Sequence, residues 1–171
     1  MATEFSYEYV FRATSPAAVI TSYFEPGHLA AQDKLAELAD RTVVEDHDDG
    51  AIRRTTWHVR AAKPLPLFVR AFVSGGRLAY RESMIWRRAD DAVDLTVAPE
   101  ILGGRVSITA TYHLTKVGDQ QVKRRYAGAI TANLTLVGGK VERGILAEFE
   151  KSMAVMAQCT QTWLDAHPTG A

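Results

Sequence analysis

"LTLVGGKVERGILAEFEKSMAVMAQCTQTWL", Leu134 to Leu164, changes period at its two glycines. Leu134 to Val137 reads as the end of a β-type run, and Gly138-Gly139 breaks it. Beyond the break, Val141, Ile145, Phe149, Met153, Met156, Thr160 and Trp163 recur at three- and four-residue steps. Glu142, Glu148, Lys151 and Asp165 fall on other faces. The spacing predicts a helix from Lys140 to about His167, roughly 40 Å long at the usual rise per residue. "GGK" does not make a phosphate loop, because GxxxxGK[ST] is absent and Val141 follows the lysine. The two glycines are expected to give the backbone freedom for a sharp strand-to-helix corner.

A helix this long, with a single apolar stripe, needs a partner surface as long as a domain. The upstream sequence supplies strands. Phe5, Tyr7, Tyr9 and Phe11 alternate with polar residues, the period of a strand with one buried face. Ser15 and Pro16 then form a helix start, as N-cap and first helical residue, and Val19, Ile20, Tyr23 and Phe24 give that helix an apolar side. After the break "EPG", a second helix is expected, with Leu29, Leu35 and Leu38 on one side. From Arg41 onward the pattern is β: a hairpin "RTVVEDH–DDG–AIRRTTWHVRA", then "RLAYRESMIWRR", "AVDLTVAPEI", "RVSITATYHLTKV" and "QQVKRRYAGAITANLTLV". Between them, Lys63 to Gly76 carries Pro64 and Pro66, which forbid a central strand, and an apolar run with Phe68, Val69 and Phe72 that reads as a short helix or loop. That segment is expected to act as a flap over an internal space.

The order is strand, two helices, six strands, long helix. The expected class is α+β: a seven-stranded curved antiparallel sheet wrapped around the long C-terminal helix, with two short helices after the first strand. One domain is expected over residues 1–167, followed by a short tail at 168–171. This order resembles the helix-grip fold of the START-like superfamily over almost the whole chain. "ITANLTLVGGKVERGI", Ile130 to Ile145, is similar to the strand-to-helix junction of a bacterial START-like family of unknown function. Leu136, Gly138, Gly139 and Glu142 are the aligned positions, and "LPLFVRAFV" before "YRESMIW" is similar as well. Thr135 stands where that pattern has proline. The resemblance implies a cavity between the concave sheet face and the C-terminal helix, holding an apolar or amphipathic molecule such as a lipid or polyketide-like compound. It implies no reaction, since the same fold serves carriers, receptors and cyclases.

Composition narrows the classes. In 171 residues, 20 basic side chains balance 20 acidic ones, so no net field favours nucleic acid or an anionic membrane. No apolar run approaches the roughly 20 residues of a membrane span, and "MATEFSYEYVFRA" reads as a strand instead of a signal peptide. Cys159 is the single cysteine, which fits a reducing cytoplasm, and it has no basic neighbour in sequence to activate it. Histidines at 28, 47, 58, 113 and 167 show no HxH or HExxH spacing, so neither a metal nor a cofactor is expected.

The candidate ligand-binding wall follows the inward phase of each strand. It comprises Met84 and Trp86, then Leu95 and Val97, then Ile108 and Tyr112, then Tyr126 and Ile130, with Phe149, Met153 and Met156 from the helix. A packed core has the same composition, so the cavity and the filled core are both open readings. Glu82 shares the phase of Met84 and Trp86, and Arg124 that of Tyr126. They are candidate head-group anchors or an inward ion pair, although solvated strand ends are the commoner fate of charges. The catalytic alternative, a cyclase or dehydratase, would draw its acid or base from Glu82, His58, Tyr112 or Tyr126. A third alternative is a protein-interaction domain with a closed cavity and an exposed "PLPLFVRAFV".

Overall fold

The structure is a computed structural model and describes residues 2–65, 67–70 and 76–168. Among these residues, seven strands form one antiparallel sheet in the order β1-β7-β6-β5-β4-β3-β2. The strands are β1 (Ala2–Arg12), β2 (Leu38–Asp48), β3 (Ile52–Pro64), β4 (Arg77–Arg87), β5 (Ala92–Pro99), β6 (Val106–Gly118) and β7 (Gln121–Ala132). β1 and β2 are therefore opposite edges of the sheet, although they are neighbours in sequence. Helices α1 (Pro16–Ser22) and α2 (Pro26–Leu35) carry the chain from one edge to the other. α3 (Leu67–Arg70) follows β3, and α4 (Gly138–Ala166) closes the chain.

The local signals act as expected at the first helix. Ser15 Oγ accepts the Ala18 N–H at 3.2 Å and Pro16 opens α1. At the β2–β3 hairpin, the Asp48 and Asp49 carboxylates accept the N–H groups of Gly50, Ala51 and Ile52. Gly50 takes the left-handed φ of 88° that this turn requires.

Three expectations are corrected. The second helix stops at Leu35, which is 48% exposed, and Leu38 already belongs to β2. Glu37, at φ 53°, turns the chain between them, so only Leu29 of the three leucines is buried in the helix face. The last strand ends at Ala132, well before Val137, because Leu134 and Gly138 bond back into a turn and Leu136 adopts φ 69°. Gly138 is not needed for left-handed φ. It is needed because a Cβ there would lie 2.2 Å from the Ala132 carbonyl oxygen. Of the flap expected over Lys63 to Gly76, Leu65 is buried and α3 is a single short helical piece. Residue 66, residues 71–75 and the side chains of 68 and 69 lie outside the described residues, and so does most of that expectation.

α4 is fastened near both ends by buried polar side chains. Glu142, expected on an outward face, is 3% exposed. Its Oε1 accepts the Ala132 N–H at 2.9 Å and its Oε2 accepts from Thr3 Oγ1 at 2.7 Å. Near the other end, Gln161 Oε1 accepts the Arg12 N–H at 2.8 Å and Gln161 Nε2 donates to the Arg12 carbonyl at 3.2 Å. Thus α4 is held along β1, to the residues near its start and to its last residue. Phe11, Ile20, Val59, Val93, Val122 and Ile130 are fully buried in the core beneath it.

Candidate functional site

The middle of α4 is less completely covered than its ends, although Ile145, Phe149 and Met153 pack against the core. Val141, Ala157, Thr160 and Leu164 are buried, whereas Ile145, Phe149, Met153 and Met156 between them are only partly buried. α4 rests on β1, β7 and the short helices instead of on the centre of the sheet. On the concave face of β4 to β6, Tyr80, Glu82, Val97 and Tyr112 also keep accessible surface. These partly covered side chains border the same core, and they define the candidate site.

Strand register sets out its floor in rows. One row runs Tyr7, Tyr126, Tyr112, Val93, Trp86. The next runs Phe5, Gly128, Ala110, Leu95, Met84, and a third Ile130, Ile108, Val97, Glu82. Gly128 and Ala110 therefore form a hollow between bulkier rows. The reason for the glycine is strand approach: a Cβ on Gly128 would lie 2.2 Å from the Thr109 carbonyl oxygen and 2.5 Å from Ala110 Cβ. Aromatic edges close the β1 side, with Phe5 and Phe149 at 5.5 Å and Phe5 and Tyr126 at 5.1 Å between ring centroids.

All thirteen expected lining residues fall on this face or on α4. Met84, Trp86, Leu95, Ile108, Tyr126 and Ile130 are buried, and Val97, Tyr112, Phe149, Met153 and Met156 are partly buried. Glu82 and Arg124 are not solvated strand ends, since the Glu82 side chain is 12% exposed and Arg124 is 7% exposed. They do not pair with each other. Glu82 faces Arg41 at 3.5 Å, and Arg41 also makes a bidentate contact with Asp33. Burial raises the Glu82 pKa, with Arg41 opposing the rise. Arg124 donates from Nη1 to Tyr23 Oη at 2.7 Å and lies over the rings of Tyr112 and Phe11 at 5.0 and 5.1 Å.

Burial raises the phenol pKa values of Tyr112 and Tyr126, so both are neutral hydrogen-bond donors. The Tyr7 hydroxyl is buried with no hydrogen-bond partner among the described residues. Tyr7 and Tyr80 share the inward phase of residues singled out in sequence, and that alternation was the signal for them. Arg41, Asp33 and Tyr23 had no such signal, because their partners are set by the fold.

His58 and His113 are placed elsewhere. His58 precedes inward-facing Val59, points to the convex side, and pairs through Nε2 with Glu100 at 2.8 Å. His113 is exposed opposite Arg125. Cys159 is partly buried, and burial raises its thiol pKa. Among the described residues no group of three or more metal-ligating side chains converges, and no helix is long and apolar enough to cross a membrane. A broad, open depression lies over Ser6, Asp94, Thr96, Thr109, Thr111 and Ala127, and it offers no enclosed surface.

No curated protein matches this sequence. Solved structures do. Zhui aromatase/cyclase from Streptomyces sp. R1128 is similar with a TM-score of 0.66 at 8% identity, over 100% of this chain and 99% of that one. Norcoclaurine synthase from Thalictrum flavum, solved with dopamine and hydroxybenzaldehyde, is similar with a TM-score of 0.65 at 16% identity, over 99% of this chain and 90% of that one. A START superfamily protein from Mycobacterium smegmatis has a TM-score of 0.60 at 12% identity, over 95% and 97%. At these identities the likeness carries the fold, which is the START-like helix grip. The sequence model of DUF2505, a family of proteins of unknown function, matches residues 9–164, and the chain belongs to that family.

Proposed function

We propose that the protein binds a small apolar or amphipathic molecule between the concave sheet face and α4. The observation that carries this reading is that Ile145, Phe149, Met153 and Met156, between two latched helix ends, are only partly buried, as are Tyr112 and Val97 on the concave face. Apolar side chains that face inward yet keep accessible surface are the lining of a space, because a filled core would have covered them. Met84, Met153 and Met156 suit such a lining, since thioether chains repack around ligands of different shape. Two similar structures are named for enzymes acting on or solved with aromatic compounds, which fits an aromatic-walled space.

Native mass spectrometry of protein purified from cells tests the reading. A retained small molecule, lost on denaturation, is the expected result. Bare protein that also takes up no apolar dye contradicts it.

One observation favours a second reading, acid–base catalysis. Glu82 is a buried carboxyl with a raised pKa, near enough to Tyr112 and Tyr126 for its charge to raise theirs. If it is a general acid, Glu82→Gln lowers turnover of the recovered ligand by roughly 100-fold while affinity stays. A ligand returned unchanged after incubation leaves binding as the whole function.

A further inference from the structure

Two of the inward arginines, Arg41 and Arg124, are compensated differently. Arg41 is answered by the carboxylates of Asp33 and Glu82. Arg124 has no carboxylate at ion-pair distance among the described residues, and what surrounds it is aromatic: Tyr112, Phe11 and Tyr23, at 5.0, 5.1 and 5.9 Å from the guanidinium carbon. Its Nη1 donates to one neutral phenol, and its Nε is buried without a hydrogen-bond partner. Burial works against the charge, but a guanidinium holds its proton so strongly that it stays charged. Ring faces and a phenol offset the loss of water around a guanidinium only in part. A buried cation with an unused donor, beside a partly accessible tyrosine, lacks the partner that matches it best.

We infer that the ligand of this cavity carries an acidic oxygen, of the carboxylate or sulfonate type, on an apolar aromatic body, and that Arg124 with Tyr112 receives that oxygen. This rests on the cavity reading above. The geometry fits one end of such a molecule. Arg124 and Tyr112 lie in adjacent rows of neighbouring strands, Arg124 opposite Leu114 and Tyr112 opposite Tyr126. An oxygen between the guanidinium and the Tyr112 hydroxyl would accept charge-assisted hydrogen bonds there. The aromatic body would then extend over Gly128 and Ala110 towards Phe149, where the floor is hollow. Glu82 lies on the far side of Tyr112 with Arg41 as its counter-ion, so it does not cancel the positive charge at Arg124.

The test uses two dyes that differ in one group: 8-anilinonaphthalene-1-sulfonate and its neutral analogue N-phenyl-1-naphthylamine. Titration by fluorescence is expected to show the sulfonate binding at least about 10-fold more tightly to the wild-type protein. Arg124→Met is expected to weaken the sulfonate by about 10-fold or more, to leave the neutral dye within about 2-fold, and Arg124→Lys to recover part of the loss. If Arg124→Met does not fold, the wild-type protein still decides. There, 1-naphthoate must displace the neutral dye at about 10-fold lower concentration than 1-naphthalenemethanol. Both dyes binding alike, or both weakened alike by Arg124→Met, overturns the acidic-oxygen inference and leaves the cavity standing. Neither dye binding to the wild-type protein overturns the cavity and the inference together.

Discussion

Glu142 on the first turns of α4 accepts the backbone N–H of Ala132, the last residue of β7, at 2.9 Å. The same carboxylate takes the Thr3 hydroxyl, so one side chain joins the end of β7, the start of β1 and the helix. Removing it leaves a buried N–H without an acceptor. Glu142→Ala is expected to cost about 3 kcal/mol and Glu142→Gln, which keeps one oxygen, about 1 kcal/mol. Urea unfolding measures both. An alanine variant within about 1 kcal/mol of wild type would show that the latch does not hold the helix.

His28 gives the molecule a pH dependence. Its ring is fully buried, Nε2 meets Thr160 Oγ1 at 3.0 Å, and burial lowers its pKa from 6.5 to about 4. Between those values the unfolded chain binds a proton that the folded chain refuses. This contribution to stability is therefore complete above about pH 6.5 and is lost as pH falls towards 4. At pH 4.5 the loss amounts to about 2.5 kcal/mol. Comparing urea unfolding at pH 7.5 and 4.5, His28→Gln should lose less stability than wild type by about that amount. Equal losses in the two proteins contradict the assignment.

Gly128 is where the hollow depends on backbone approach. A Cβ at this position would press on the Thr109 carbonyl and on Ala110, neither of which can swing away. Gly128→Ala is expected to destabilise by about 2 kcal/mol or more through strand separation. A neutral effect in thermal or urea unfolding would mean that β6 and β7 are less tightly apposed here.

The helix stripe is not uniform, and a pair of substitutions shows it. Phe11 is fully buried, and Phe11→Ala should cost about 3–5 kcal/mol. From sequence, Phe149 would be expected to cost the same. It is only partly buried, so on the proposed reading Phe149→Ala should cost less than half as much. Equal costs would place Phe149 in a packed core.

The period change at Gly138 and the alternation of seven strands made the fold legible, because each depends on local pattern alone. The inward phase of Met84, Trp86, Tyr112 and Tyr126 was legible for the same reason. Burial of the charges was not. Glu82 is sheltered by Arg41 from the far edge of the sheet and Arg124 by Tyr23 just after α1, and neither partner lies near in sequence. Glu142 misled for a related cause. Its step on the helix is polar by pattern, yet the chain end it faces offers a free N–H and a hydroxyl. Leu35 and Leu38 looked like one stripe because nothing in the pattern marks the reversal at Glu37.

The central claim is that a ligand enters between the sheet and α4, and methionine methyl groups report on it directly. Met84 lies on the concave face opposite Leu95, and Met153 on the partly buried stretch of α4. The protein is labelled with ¹³C-methyl methionine, the signals are assigned with Met84→Leu and Met153→Leu, and the spectrum is recorded with and without 8-anilinonaphthalene-1-sulfonate. Ring-current shifts of both the Met84 and Met153 methyls, saturating with the dye, are the predicted result. Dye fluorescence that rises while both methyls stay unmoved would place the binding outside the grip and contradict the account.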